Sequence, residues 1–320
     1  FKNNNIFFKN LKLTTNLDKT NRAFLNGFYG EKEEKFEIIF DNKILNNKIT
    51  ININDISFYL DKELWKLKDS ISSITYDQNT KEFKLTNLFL ESKNQSINSD
   101  IRYKSTNDFD LKIITKDLKI HQFIPKNEKL DLSGFLSSEI IINQNEELKS
   151  ATAKIITKKL SLNQNLLGDF NFVLNGSPTY KTYNISTSIL KNDKKNILGL
   201  GNVFIVDQGI NLDIDFDLEN FDLSFLSSFG KNKVNKINGF LSGKLNLWGS
   251  LSDIKLKGQT LINNGNLFLP ITNTEYKIKD RTPIYFQDQS IKFVNTELID
   301  IYENTFATVN GNIFHKTFKE

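Results

Sequence analysis

The sequence predicts an all-β protein built on a long curved antiparallel sheet with few short helices. Three observations predict it. Apolar and polar residues alternate with period two from one end of the chain to the other. Turn-forming clusters break the alternation at a spacing of roughly ten residues per strand plus turn, which gives about 25–30 strands. Helical periodicity is almost absent.

Taken in order, "KITININ" sets Ile49, Ile51 and Ile53 on one face. "DKELWKLKDS" (61–70) has Leu64 and Leu67 on one side and is expected to make one or two helical turns. "FKLTNLFLES" carries Phe83 and Leu85, then Leu88 and Leu90 after a phase slip. "LSGFLSSEIII" carries Ile140 and Ile142, "KKLSLNQ" Leu160 and Leu162, and "GDFNFVLNG" Phe170, Phe172 and Leu174. In "NLDIDFDLENFDL" (211–223) Leu212, Ile214, Phe216 and Leu218 alternate with Asp213, Asp215, Asp217 and Glu219. "LSFLSSFG" (223–230) reads as a short turn closed by Gly230. "GKLNLWG" carries Leu245 and Leu247, and "GNLFLP" carries Leu267 and Leu269. The clusters "LNG", "NNG", "QNE", "KND" and "VDQG" read as turns between strands.

Composition narrows the function. Lys and Arg total 42 against 38 Asp and Glu, and the two signs are interleaved. A nucleic-acid binder concentrates basic charge on one face, so none is expected here. Cysteine is absent, which excludes disulfides, zinc–thiolate sites and thiol catalysis. Methionine is absent too, so a chain beginning at Phe1 is expected to be an internal fragment. No apolar run approaches the ~18 residues of a membrane span. His121 and His315 stand outside any nucleophile or metal-ligand spacing. "GLGNVF" (199–204) lacks the third glycine and the following helix of a phosphate loop. Trp65 and Trp248 read as packing residues. No catalytic residue, metal or cofactor is expected, and the chain does not read as an enzyme.

An internal repeat organises the chain. "NDFDLKIITKDLKI" (107–120) aligns with "LDIDFDLENFDLSF" (212–225) at an offset of 105 residues. The same offset aligns "LSGFLSSEIII" (132–142) with "INGFLSGKLNL" (237–247). Asp117-Leu118 then matches Asp222-Leu223, and Gly134-Phe135-Leu136-Ser137 matches Gly239-Phe240-Leu241-Ser242. Residues 1–320 are thus expected to form one continuous unit carrying two related repeats, at about 107–211 and 212–320. Across the repeat Asp213, Asp215 and Asp217 fall opposite Asp108, Asp110 and Lys112. The apolar face keeps its character and the polar face does not keep its charge. Residues i and i+2 of a strand lie roughly 6.5–7 Å apart, whereas Ca²⁺ needs oxygens converging at about 2.3–2.6 Å. The carboxylates read as a solvated outer wall.

The dry face is the better functional candidate. An antiparallel sheet packs its apolar face on a second sheet or on helices, and this chain has few helices. The sheet either seals into a sandwich or solenoid, or curves into an elongated groove with an apolar interior. An open groove exposes far more apolar surface than soluble monomers usually do and calls for a ligand, of which acyl chains are the obvious one. The expected lining is Ile51, Ile53, Phe83, Leu85, Ile140, Ile142, Leu160, Leu162, Phe170, Phe172, Leu212, Ile214, Phe216, Leu218, Leu245, Leu247, Leu267 and Leu269. A sealed core would instead suit an extracellular β-rich adhesin or autotransporter-like passenger. A β-helix carbohydrate-active enzyme would need carboxylates converging in one cleft.

Residues 222–280 resemble the C-terminal region of the TamB family (translocation and assembly module) within the AsmA-like superfamily. The matching positions are Asp222-Leu223, Asn238-Gly239, Leu241-Ser242-Gly243, Leu245, Leu247, Gly249-Ser250-Leu251, Leu256 and Gly258, with Ile254 where the family commonly has Pro. Residues 284–318 resemble Bacteroidetes-type members through Asp300, Asn304, Ala307, Val309, Gly311, Ile313, His315 and Phe318. The resemblance implies a periplasmic protein of a Gram-negative cell, anchored in the inner membrane through a segment outside this sequence. It implies a periplasm-spanning β-groove (a "β-taco") for phospholipid transport between the membranes. It also implies a part in outer-membrane protein secretion and assembly with a TamA-like partner of the barrel-assembly family.

Overall fold

A computed structural model describes residues 7–15, 20–29, 32–68, 71–124, 131–145, 149–206, 209–229, 235–303 and 305–314. Among these residues the alternation produces 21 strands. There are fewer than the spacing suggests because the strands are long, reaching 17 residues at Asp253–Leu269. Every pairing whose register is described is antiparallel.

The chain divides into two compact units. The first holds Phe1–Phe123 and Leu136–Ala153, the second Ile124–Phe135 and Lys154–Glu320. The first contains β1 (Phe7–Thr15), β2 (Thr20–Tyr29), β3 (Lys32–Leu45), β4 (Lys48–Leu60), β5 (Glu63–Leu67), β6 (Ser72–Asp77), β7 (Phe83–Ser92), β8 (Gln95–Ser105), β9 (Asp108–Lys119) and a one-turn helix α1 (Ile120–Phe123). The dividing line falls within β10 (Leu132–Gln144) and β11 (Lys149–Leu162). The second unit continues with β12 (Asn165–Ser177), β13 (Thr182–Lys191), β14 (Lys194–Val206) and β15 (Gly209–Asp222). A 3-10 helix (Ser224–Phe229) leads into β16 (Asn235–Ser250) and β17 (Asp253–Leu269). The last strands are β18 (Thr274–Ile278), β19 (Thr282–Asp288), β20 (Ser290–Asp300) and β21 (Phe306–Phe314).

Tight turns follow from residues that tolerate a left-handed backbone. Asn46-Asn47, Asp61-Lys62, Asn163-Gln164 and Asn192-Asp193 each have positive φ at both residues. That is the two-residue hairpin turn whose twist matches its strands. The Asp61-Lys62 turn corrects the expectation of helix over 61–70. Glu63–Leu67 is a strand, and Trp65 follows its period of two into the core. The "LSFLSSFG" turn is present as the 3-10 helix, with Gly230 outside the described residues.

Two of the turn clusters lie inside strands. Both copies of "LNG" (25–27 and 174–176) fall within β2 and β12, and "NNG" (263–265) falls within β17. In "NNG" the left-handed residue makes a β-bulge instead of a reversal. Asn264 has φ 50, and the register with β16 slips beside it. Before the bulge Leu256, Gly258, Thr260 and Ile262 share the inward phase; after it Gly265, Leu267 and Leu269 do. The extra residue keeps the apolar set on one face of an unusually long strand.

Among the described residues a left-handed residue with a capped N–H sits inside a strand six times, and the register slips beside four of them, Asn87, Asn220, Asn264 and Asn295. Asn87, Asp117, Lys159, Asn220, Asn264 and Asn295 all have positive φ. Each donates its backbone N–H to a side-chain oxygen: Asp100 (2.8 Å), Ser137 (3.0 Å), Asp169 (2.8 Å), Ser242 (3.0 Å), Asp280 (2.7 Å) and Asn310 (2.7 Å) respectively. The phase slip of "FKLTNLFLES" is one of these, with the register shifting between Leu85 and Leu88. Ser137 and Ser242 occupy matched positions of the 105-residue offset, but their donors do not. Asn220, not Asp222, takes the place of Asp117. Asp222 instead accepts the N–H of Ser224 (2.8 Å) at the start of the 3-10 helix and the Lys191 ammonium (2.8 Å).

Asn264→Val forces a β-branched residue into the left-handed region and is expected to destabilise the chain by about 1–2 kcal/mol. Asn264→Gly is expected to be near neutral, and Asp280→Ala to cost about 1 kcal/mol through the lost cap. Urea unfolding of the three variants checks the order.

Candidate functional site

The inward-facing apolar residues of the second unit fall into register across seven strands. One row runs Phe172–Thr187–Gly199–Phe216–Leu245–Gly258–Phe286 from β12 to β19. Its neighbour runs Leu174–Ile185–Gly201–Ile214–Leu247–Leu256. On the other side runs Phe170–Ile189–Ile197–Leu218–Gly243–Thr260–Ile284–Phe293. Leu212 extends the face beyond Ile214.

Glycines notch this face where bulky side chains cross it. A Cβ on Gly199 would stand 2.5 Å from the Phe216 ring and 2.7 Å from the Thr187 methyl, so the ring lies in the space a side chain would need. On Gly201 it would strike the Asp213 carbonyl and the Ile214 backbone. "GLGNVF" is therefore the interior of β14, with Gly199 and Gly201 in the apolar phase. Glycine at i and i+2 in an apolar phase was the readable signal for the notches.

Toward β20 the face is covered. Leu223, Ile262, Ile278, Ile284, Phe286 and Leu298 form a buried cluster. Leu226 from the 3-10 helix, Leu245, Leu256 and Leu267 pack against it. Ser227 Oγ donates to the Ile237 carbonyl (3.0 Å) and ties that helix to β16.

The first unit builds its own apolar face. Ile51–Ile74–Leu85–Ile101–Leu111 form one row and Ile49–Tyr76–Phe83–Tyr103–Phe109 the next. Ile53 is buried one register step further along β4. Of the eighteen expected lining residues, Ile53, Ile214 and Leu218 are buried and the other fifteen are half-buried. That group includes Ile140, Ile142, Leu160, Leu162, Leu267 and Leu269.

One feature of this unit has no sequence signal, because its parts come from four elements. Phe36, Phe58, Trp65 and Phe123 form an aromatic column, with centroid separations of 5.3, 6.2 and 6.1 Å. Trp65 is fully buried. Beside it Glu63 collects four hydrogen bonds. Oε1 accepts from Lys119 (2.7 Å) and Lys93 (2.8 Å), and Oε2 from Gln95 (2.8 Å) and Gln122 (2.9 Å). Gln122 belongs to α1, so the carboxylate fastens that helix to three strands. The Lys119 ammonium, then that of Lys93 and the Gln122 amide, hold the Glu63 carboxyl down from its ordinary 4.5 to about 2.

The outer face is wet. Asp213, Asp215 and Asp217 are exposed, and the Asn246 amide donates to Asp213 (2.9 Å) and Asp215 (3.0 Å). Among the described residues no group of three or more His, Asp or Glu is placed to hold a metal ion. His121 Nε2 stands 3.5 Å from Asp61. Asn304, His315 and Phe318 lie outside the described residues. Among the described residues no helix is long and apolar enough to cross a membrane. No protein-family model, curated protein or solved structure matches the chain.

Because the folded Glu63 carboxyl titrates below the unfolded one, its stabilisation is complete above 4.5 and is lost as pH falls through about 2. Glu63→Gln is expected to cost roughly 1.5–3 kcal/mol at pH 7, the range for hydrogen bonds to a charged group. The gap between wild type and variant is expected to shrink on acidification through that window. Denaturant titrations at a series of pH values check it.

Proposed function

We propose that the chain is a non-enzymatic, TamB-like segment of the AsmA-like superfamily whose sheet curves into a groove for phospholipid acyl chains. One observation carries this reading: the apolar face stays in register across seven strands of the second unit, with bulges correcting the phase wherever a strand outruns it. A dry core of ordinary size does not require so long a continuous apolar surface. Glycine notches under aromatic rings thin the inward side relative to the outward side, which favours curvature toward the apolar face. In this reading the protein is periplasmic, held in the inner membrane by a segment outside this sequence. It passes phospholipid toward the outer membrane and assists assembly of outer-membrane proteins with a TamA-like barrel partner. No cofactor takes part, and no nucleic acid is bound.

A second reading is favoured by one feature. The cluster around Leu223, Ile262 and Phe286 is closed by the 3-10 helix and resembles a finished core. An extracellular adhesin or passenger would seal its whole face in that way.

Native mass spectrometry of the purified chain, with lipid extraction, separates the two. The conduit reading expects co-purified phospholipid, and loss of that lipid in Phe216→Asp while circular dichroism stays β-rich. Leu200→Asp, in the outward phase of β14, is expected to keep its lipid. A folded wild-type chain free of lipid would favour the sealed core.

A further inference from the structure

On the outer face of the second unit one exposed aromatic residue borders a polar hollow. Along β16 the outward phase runs Phe240, Ser242, Lys244, Asn246 and Trp248. Three of these suit water; Phe240 and Trp248 are aromatic, each 38% exposed. The cross-strand neighbours of Trp248 are Asp213 and Lys255, and the Lys255 ammonium stands 4.7 Å from the ring centroid. Trp248 therefore does not serve as core packing, in contrast to Trp65. What marks Trp248 is the group of polar side chains gathered around it.

Trp248 walls an open hollow of about 650 Å³, completed by Asp213, Asn246, Lys257, Gln287 and Asp288. The lining offers one aromatic face, two carboxylates that only accept, an ammonium that only donates and two amides that do both. Asn246 is held in place by its bonds to Asp213 and Asp215. Two carboxylates stand against Lys257 in the hollow, and Lys255 beside it is paired with Asp253 (3.6 Å). An anion gains little there.

A pyranose fits this set. One side of the ring is a sheet of C–H groups, which the electron-rich face of an indole attracts. Its rim carries hydroxyls that both donate and accept. We propose that this hollow binds a neutral pyranose with equatorial substituents, such as a glucose or N-acetylglucosamine unit, with the ring stacked on Trp248 and its hydroxyls on Asp213, Asn246, Lys257 and Gln287. The site lies on the opposite face from the apolar rows and does not depend on the acyl-chain reading.

Isothermal titration of the chain with cellotetraose and with chitotetraose tests it. Saturable binding of at least one is expected. Trp248→Ala should weaken it about tenfold or more, equivalent to about 1.4 kcal/mol, and Trp248→Phe should weaken it less. Tyr180→Ala removes another exposed aromatic of the same unit, outside the hollow, and should leave binding unchanged. Trp248 is half-exposed, so these variants are expected to melt with wild type. Absence of saturable binding to either sugar, or equal binding by Trp248→Ala, would overturn the proposal. Binding by an acidic peptide and by neither sugar would overturn it as well.

Discussion

The architecture rests on a phase constraint. A side chain of a strand belongs to one face or the other, and a slip of one residue sends every following side chain to the wrong side. Strands of thirteen to seventeen residues must also twist and bend, and a bulge relieves the bend while moving the phase by one. Six times among the described residues a strand carries a left-handed residue, four of them at a register slip, and hands its N–H to a side chain. The oxygen comes from Asp100, Ser137, Asp169, Ser242, Asp280 or Asn310. Without that cap the backbone donor would lose its ladder partner. Without the bulge Leu267 and Leu269 would face outward.

The two units reuse the same local solution, which ties the constraint to the chain's internal repetition. In the first, β4 pairs with both β5 and β6, and both of these pair with β7. In the second, β17 pairs with β18 and β19, and both pair with β20. In each case two short strands share one position between two long ones. Trp65-Lys66-Leu67-Lys68 in the first corresponds to Tyr276-Lys277-Ile278-Lys279 in the second. The N–H of Lys68 reaches the Phe89 carbonyl (2.8 Å), as that of Lys279 reaches Glu297 (3.2 Å). The bulges at Asn87 and Asn295 follow at matched places on the next strand. This likeness is fainter in sequence than the 105-residue offset because geometry preserves it more than identity does.

What was legible in the sequence was the period. "DIDFDL" could only be a half-wet strand, and the phase slip of "FKLTNLFL" announced its bulge. "KND" announced its turn. Asn-rich clusters were ambiguous, because a left-handed Asn makes a hairpin when both central residues adopt it and a bulge when one does; "NNG" was the second kind. The segment 61–70 misled because Leu64 and Leu67 are also compatible with a helical stripe, while one of the deciding contacts of Trp65, with Phe123, is remote in sequence. The Glu63 cluster was illegible for the same reason. Glycines inside strands were readable as notches only once their partners, such as Phe216 opposite Gly199, were known.

The two faces of the second unit are therefore under different demands. The apolar face must stay apolar at every register step, so its chemistry is restricted to Leu, Ile, Phe, Tyr, Val, Thr and the glycines that make room for them. The outward face has only to remain solvated. Asp217 and Lys244 face each other there, as do Asp215 and Asn246, and no packing decides between them. A residue on the inward face is explained by the fold alone, and Phe216 would be aromatic whether or not a lipid ever touched it. An outward aromatic set among polar side chains, as Trp248 is, can do more than remain solvated. Specific recognition is more readily identified on the wet wall, at Trp248, than along the dry one, even though the dry wall dominates the sequence.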